Sequence, residues 1–136
     1  MFLTPLEDFD YKPVVKDGHI VKNRVVLQSD LKWEPQSGAL ITVKKGFEFD
    51  LASVPWWLGF IAQKLGRHQR AAALHDCLYY YNVRSRVWSD QQFLEAMEYD
   101  KVGWLRRRVL WRGVRKGGAF SWRKHSFRIE REARDK

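Results

Sequence analysis

The stretch A71-A-A-L-H-D-C-L-Y-Y-Y81 decides how this chain is read, because at helical spacing it is apolar yet carries an imidazole and a carboxylate side by side. Ala72, His75 and Tyr79 share one face of such a helix, and Asp76 and Tyr80 share the neighbouring stripe. A His and an Asp inside an apolar helix are either hydrogen-bonded members of the core or parts of a site. In a site, neutral imidazole is the usual general base near pH 7, and an adjacent carboxylate can hold a cation.

Upstream of this helix, residues 11–50 read as antiparallel β: Gly18–Leu27 and Ala39–Val43 are rich in Val, Ile and Leu, with turn signals at Asp17-Gly18, Ser37-Gly38 and Lys45-Gly46. Phe47 and Phe49 alternate with Glu48, which puts Asp50 at a strand end, on a rim. Ser53 as N-cap, Pro55 in the first turn and Gly66 at the stop predict a first helix over 54–65. The second helix is predicted over 67–82. A capping box, Ser89-x-x-Gln92, opens a third that runs to about Asp100. A fourth, over 103–116, puts Trp104, Leu110, Trp111 and Val114 on one arc and stops at Gly117-Gly118. Strands followed by helices predict an α+β fold: an N-terminal antiparallel sheet, then a three- to four-helix C-terminal half. One α+β domain is expected over 1–118, with 119–136 as a basic, charged tail.

Charge is unevenly spread. Residues 1–100 carry 12 Lys and Arg against 13 Asp and Glu, whereas 101–136 carry 13 against 3, so the net +9 arises wholly in the last third. This asymmetry predicts an acidic partner (protein, nucleic acid or anionic lipid) for a surface made by Trp104, Arg108, Trp111, Arg112, Arg115 and Lys116. The single cysteine, Cys77, excludes an intrachain disulfide and reads as a buried, inert thiol. No charged and apolar leader pattern opens the chain and no apolar run approaches a membrane span, so synthesis in the cytoplasm is expected. Paired-Cys metal spacing, a P-loop, G-x-S-x-G and G-x-G-x-x-G are all absent, and His19, His68 and His125 are scattered and expected at the surface.

In order, GFEFDLASVPWWL, RAAALHDCLYYY, SRVWSDQQFLEAM, VGW and VRKGGAFSW resemble the phage and prophage family catalogued as domain of unknown function 1353, over roughly Gly46 to Trp122. The resemblance implies a phage or prophage origin, and Asp50, Ser53, Pro55, His75, Asp76, Tyr79, Asp90 and Phe93 match the family's recurring positions. Within it, His75-Asp76-x-x-Tyr79 followed by Asp90-x-x-Phe93 is similar to the core of the phospholipase A2 superfamily. That similarity would make His75 the general base for a water attacking an ester and Asp76 a calcium ligand, with Tyr79 and Asp90 orienting the imidazole. The Gly-rich loop that would complete a calcium site is missing before His75.

Helix geometry points elsewhere for the third member. If the helix holding Asp90 starts at Ser89, a hairpin offsets Asp90 from His75 by about two turns and puts Glu95 or Ala96 opposite it. Asp90 then reads as a first-turn carboxylate, and Asp50 is expected to join His75 and Asp76 within reach of one hydrogen bond or one cation. Three functional readings follow. The first is a virion or assembly component that docks other phage proteins or an acidic host protein through its basic third. The second is a small metal-assisted hydrolase using His75, Asp50 and Asp90 with a divalent cation such as calcium on Asp76 and Asp50, and the third is an early host-directed binding protein.

Overall fold

The structure is a computed structural model, and it describes residues 1–50 and 67–136. The predicted helix over 54–65, with its Ser53 cap and Pro55, lies outside the described residues.

Two antiparallel sheets form from the N-terminal part. Strands β1 (Tyr11–Lys16), β2 (His19–Leu27) and β5 (Glu48–Asp50) make a three-stranded sheet in the order β1-β2-β5. Strands β3 (Leu31–Trp33) and β4 (Ile41–Val43) pair separately, and Phe2 bridges to Trp33 at their edge. The β1–β2 hairpin turns on Asp17 and Gly18, both at positive φ (52° and 78°), which is the backbone twist a two-residue hairpin needs. Val25 pairs with Phe49 and Arg24 with Asp50, so β5 ends with Asp50 at the open rim.

Among the described residues three helices follow: α1 (Gln69–Tyr80), α2 (Arg86–Tyr99) and α3 (Trp104–Arg134). The architecture is therefore α+β, an antiparallel sheet region and then a helical half. Leu27, Leu31, Trp33, Val43 and Phe49 from the strands bury against Leu74 and Leu78 of α1, and Phe93, Ala96 and Met97 of α2 close the other side. Two buried polar ties fix the layers. Arg70 clamps Asp100 with two N–H donors and donates to the Thr4 carbonyl at 2.9 Å, and Trp33 Nε1 donates to Gln92 Oε1 at 2.7 Å.

Two helix boundaries differ from expectation, and both differences matter for the site. α2 starts at Arg86, capped by Ser85, whose hydroxyl accepts from the Trp88 N–H at 3.1 Å; Ser89 is instead buried and donates to the Val83 carbonyl. Ser85 and Ser89 are both competent caps, and the earlier one wins because Asn82 and Arg84, at φ 49° and 54°, turn the chain sharply enough to start the helix sooner. α3 does not stop at Gly117-Gly118 but continues for 31 residues, about 46 Å, so the 118/119 boundary falls inside a helix. Close approach to α1, not termination, explains the glycine. A Cβ on Gly118 would lie 2.5 Å from the Tyr79 hydroxyl and 3.1 Å from its ring. Gly118→Ala is expected to destabilise by about 1–3 kcal/mol in urea titration, with Tyr79 pushed aside.

Candidate functional site

Moving the start of α2 back by a turn lifts Asp90 away from the helix end and sets it across from His75. Asp90 is fully buried, and its Oδ1 accepts from His75 Nε2 at 2.8 Å and from the Tyr79 hydroxyl at 2.6 Å. On its other oxygen, Oδ2, Arg115 Nη1 donates at 2.6 Å, and Arg86 lies 3.6 Å away. The expectation that Glu95 or Ala96 would face His75 is thus corrected, as is the reading of Asp90 as a first-turn carboxylate. Burial alone would raise the Asp90 pKa, but the hydrogen bonds from His75, Tyr79 and Arg115 outweigh it and hold the carboxyl below its ordinary value. Burial, and then the same contact with Asp90, pushes the Tyr79 phenol up, so both groups keep fixed protonation states near neutral pH.

An ionised Asp90 has no proton to give, so His75 must donate through Nε2–H. That leaves Nδ1 as the basic nitrogen, and it has no hydrogen-bond partner among the described residues. His75 is nearly buried, packed between the rings of Tyr79 and Phe93 at centroid distances of 4.3 and 4.7 Å. His75 lines a cavity of about 540 Å³ together with Ala72, Phe93, Val109, Leu110 and Val114 and with the small residues Gly113, Gly117 and Ser121 of α3. The glycines and serine recur every fourth residue on one face of α3, and this small-residue stripe is the sequence signal that could have announced the cavity.

Asp50 and Asp76 also line this cavity. The Asp50 backbone N–H donates to Asp76 Oδ2 at 3.0 Å, tying the rim of β5 to α1, while the exposed Asp50 carboxylate pairs with Arg24 at 3.2 Å. Burial pushes the Asp76 carboxyl up to about 6, against the opposing pull of the Asp50 N–H and of His75. So Asp50 touches Asp76 and shares a cavity wall with His75, but the residue that directly grips His75 is Asp90.

Among the described residues no group of three or more His, Cys, Asp and Glu side chains is arranged to hold a metal ion. Calcium asks for roughly six to eight oxygens. Asp76 and Asp50 offer two carboxylates, one engaged by an N–H and the other by a guanidinium, so the described donors do not fit that ion.

The residues expected to dock a partner divide into two sets. Trp104 is exposed with Arg108 over its ring at 5.7 Å, and Arg112 and Lys116 are exposed as well. Trp111 instead packs against the core, and Arg115 is spent on Asp90. Sequence reading missed the roles of Arg115 and Arg86 because a basic run on a helix looks alike whichever residues turn inward. Two of the expected surface histidines are not exposed: His68 is buried beside Arg106, and both burial and that charge lower its pKa, while His125 is half-buried against Tyr80 at 5.2 Å. Cys77 is buried, with its thiol pushed up to about 12 by burial and then by Asp76. No helix among the described residues is long and apolar enough to cross a membrane.

No curated protein and no solved structure matches the chain. The family described as Protein of unknown function (DUF1353) matches residues 25–114, from β2 through α1 and α2 to the first part of α3. The matched span contains Asp50, His75, Asp76, Tyr79 and Asp90, and it covers well over half of the sequence. This chain belongs to the DUF1353 family.

Proposed function

We propose that the protein is a small hydrolase in which His75, oriented by Asp90, is the general base acting on an acyl ester held in the apolar cavity. The observation that carries this is the Asp90 network: a fully buried carboxylate fixes the tautomer and plane of an imidazole whose ring lines a cavity. Water at Nδ1 would lose its proton to the imidazole as its oxygen attacks the carbonyl carbon, and the resulting imidazolium would be stabilised by Asp90 without proton transfer to it. His75 would then return the proton to the leaving alkoxide. The local similarity to the phospholipase A2 superfamily agrees with this division of roles. Asp50 and Asp76 do not supply the oxygens that calcium needs, so the proton transfers rest on His75 and Asp90.

The test is hydrolysis of p-nitrophenyl esters of graded acyl length by the purified chain. His75→Ala should lower kcat/KM by about 10²–10⁴, the usual worth of a positioned base, with longer acyl groups preferred. Wild-type turnover no faster than buffer, or full activity in His75→Ala, would remove the hydrolase reading.

The exposure of Trp104, Arg108, Arg112 and Lys116 favours a second reading, in which the basic helix serves docking. There the chain is a phage or prophage component, assembled with other phage proteins in the virion or directed early at an acidic host protein, and the Asp90 network only pins three helices together. Trp111 and Arg115 drop out of that surface because they face inward.

A further inference from the structure

The outward face of α3 combines exposed apolar side chains with nearly unopposed positive charge. At 100° per residue, Leu105, Val109, Phe120 and Phe127 fall within about 60° of one another. The axial span from the first to the last is about 33 Å. Leu105, Phe120 and Phe127 are 66%, 76% and 67% exposed, far more than large apolar side chains on a packed helix usually are. Interleaved with them, and exposed on the same face, stand Arg112, Lys116, Arg123, Lys124, Arg131 and Arg134, against one acidic residue, Glu130. Near the C-terminal end Phe127 stands with Lys124, Arg131 and Arg134 around a cleft of about 440 Å³.

We propose that this face docks on an anionic lipid bilayer, with α3 lying flat in the headgroup layer. Charge complementarity selects an anionic occupant, and shape selects a planar, deformable one. The apolar side chains form one stripe about 33 Å long on a single helix, with cationic side chains beside each phenylalanine, which is the form of a helix that lies in a headgroup layer. Arg and Lys stems beside each phenylalanine can lie along the apolar side chains while their charged ends reach lipid phosphates. Nucleic acid would satisfy the charge but leave the two phenylalanines without stacked bases unless a single strand were splayed along the helix. The docking surface stands without the hydrolase reading. Where that reading holds, Val109 and Gly113, which belong both to this face and to the cavity wall, bring the cavity beside the bilayer, so its substrate would be a lipid ester.

The test uses the full chain with the His75→Ala substitution, so that binding is measured without turnover, and vesicles of phosphatidylcholine alone or mixed with phosphatidylglycerol. At about 0.15 M salt, where longer-range attraction is screened, the chain should sediment with the mixed vesicles and not with the neutral ones. The pair Phe120→Ser and Phe127→Ser, which leaves every charge in place, should weaken that binding roughly tenfold or more. An environment-sensitive fluorophore on Phe127→Cys, selective because Cys77 is buried, should shift to the blue on mixed vesicles. Binding that is unchanged by the serine pair would overturn the proposal in favour of plain charge attraction. Capture of an acidic protein or of RNA with no vesicle binding would overturn it in favour of that partner. Vesicle binding in a chain whose unsubstituted form hydrolyses no ester would sink the hydrolase reading alone.

Discussion

Replacing Asp90 by alanine will lower the stability of the protein by about 3–5 kcal/mol, the cost of removing one partner from a buried ion pair. The size follows from what is left behind. Arg115 at 2.6 Å, Arg86 at 3.6 Å, His75 and Tyr79 all point at a carboxylate with no exposed surface, and the alanine variant strands their donors beside a cavity. Asp90→Asn tests charge separately from volume, because its amide oxygen still accepts from His75 and Tyr79 while its NH₂ faces guanidinium. Urea titration across pH checks the sign. Asp90 has a folded pKa below its unfolded one, so its contribution is fully present above the ordinary carboxylate range and is lost as pH falls through the lower folded value. The acid-side loss should shrink in Asp90→Asn, and a variant as stable as wild type at pH 7 would show that the network does not hold the helices.

Asp76→Asn should do the opposite and stabilise the protein near neutral pH. The Asp76 carboxyl is raised from 3.8 to about 6, so the folded chain holds this proton more tightly than the unfolded one. Stability therefore falls as pH rises between those values and stays lower above them. A gap of about two pH units corresponds to at most about 3 kcal/mol at pH 7–8, and to nothing near pH 3. Asparagine keeps an oxygen to accept the Asp50 N–H, so the tie between β5 and α1 survives. Thermal denaturation at pH 8 and pH 3.5 should show a higher Tm for the variant only at the higher pH; equal gains at both would mean that the carboxylate is not strained by burial. A stabilised variant with weaker ester hydrolysis would mark Asp76 as a group retained for chemistry.

Much of this was legible in the residues. The α+β order followed from alternating strands giving way to helical periodicity, and the His-Asp helix was placed within two residues at either end because its apolar run is long and regular. The resemblance pairs Asp90 with His75, whereas helix geometry counted from a Ser89 cap moves it away, through one capping choice. Ser85 and Ser89 differ by a single turn, yet that turn decides whether Asp90 frays at a helix start or sits beside an imidazole. No local rule ranks two serines, because the deciding factor is the backbone of Asn82 and Arg84. By propensity Gly117-Gly118 likewise reads as a stop, whereas α1 needs the space that Gly118 leaves for Tyr79. Inward arginines were the least legible, since Arg112 and Arg115 are chemically the same until a buried carboxylate selects one of them.

The long third helix has a thermodynamic consequence of its own. Gly113, Gly117 and Gly118 each cost about 1 kcal/mol of helix propensity relative to alanine, and Gly103 at its N-cap makes no side-chain hydrogen bond. These costs weaken the helix in isolation, and its docked turns are held where Arg115 meets Asp90, Arg86 meets the Val114 and Arg115 carbonyls, and Asn82 meets Ser126 and Trp122. Far-ultraviolet dichroism, normally taken as a gauge of secondary structure, therefore becomes in this protein a gauge of docking. Unlatching α3 would erase helical signal with no change in the sheet, and a calorimetric transition would divide into a helical unit of low stability and a more stable body.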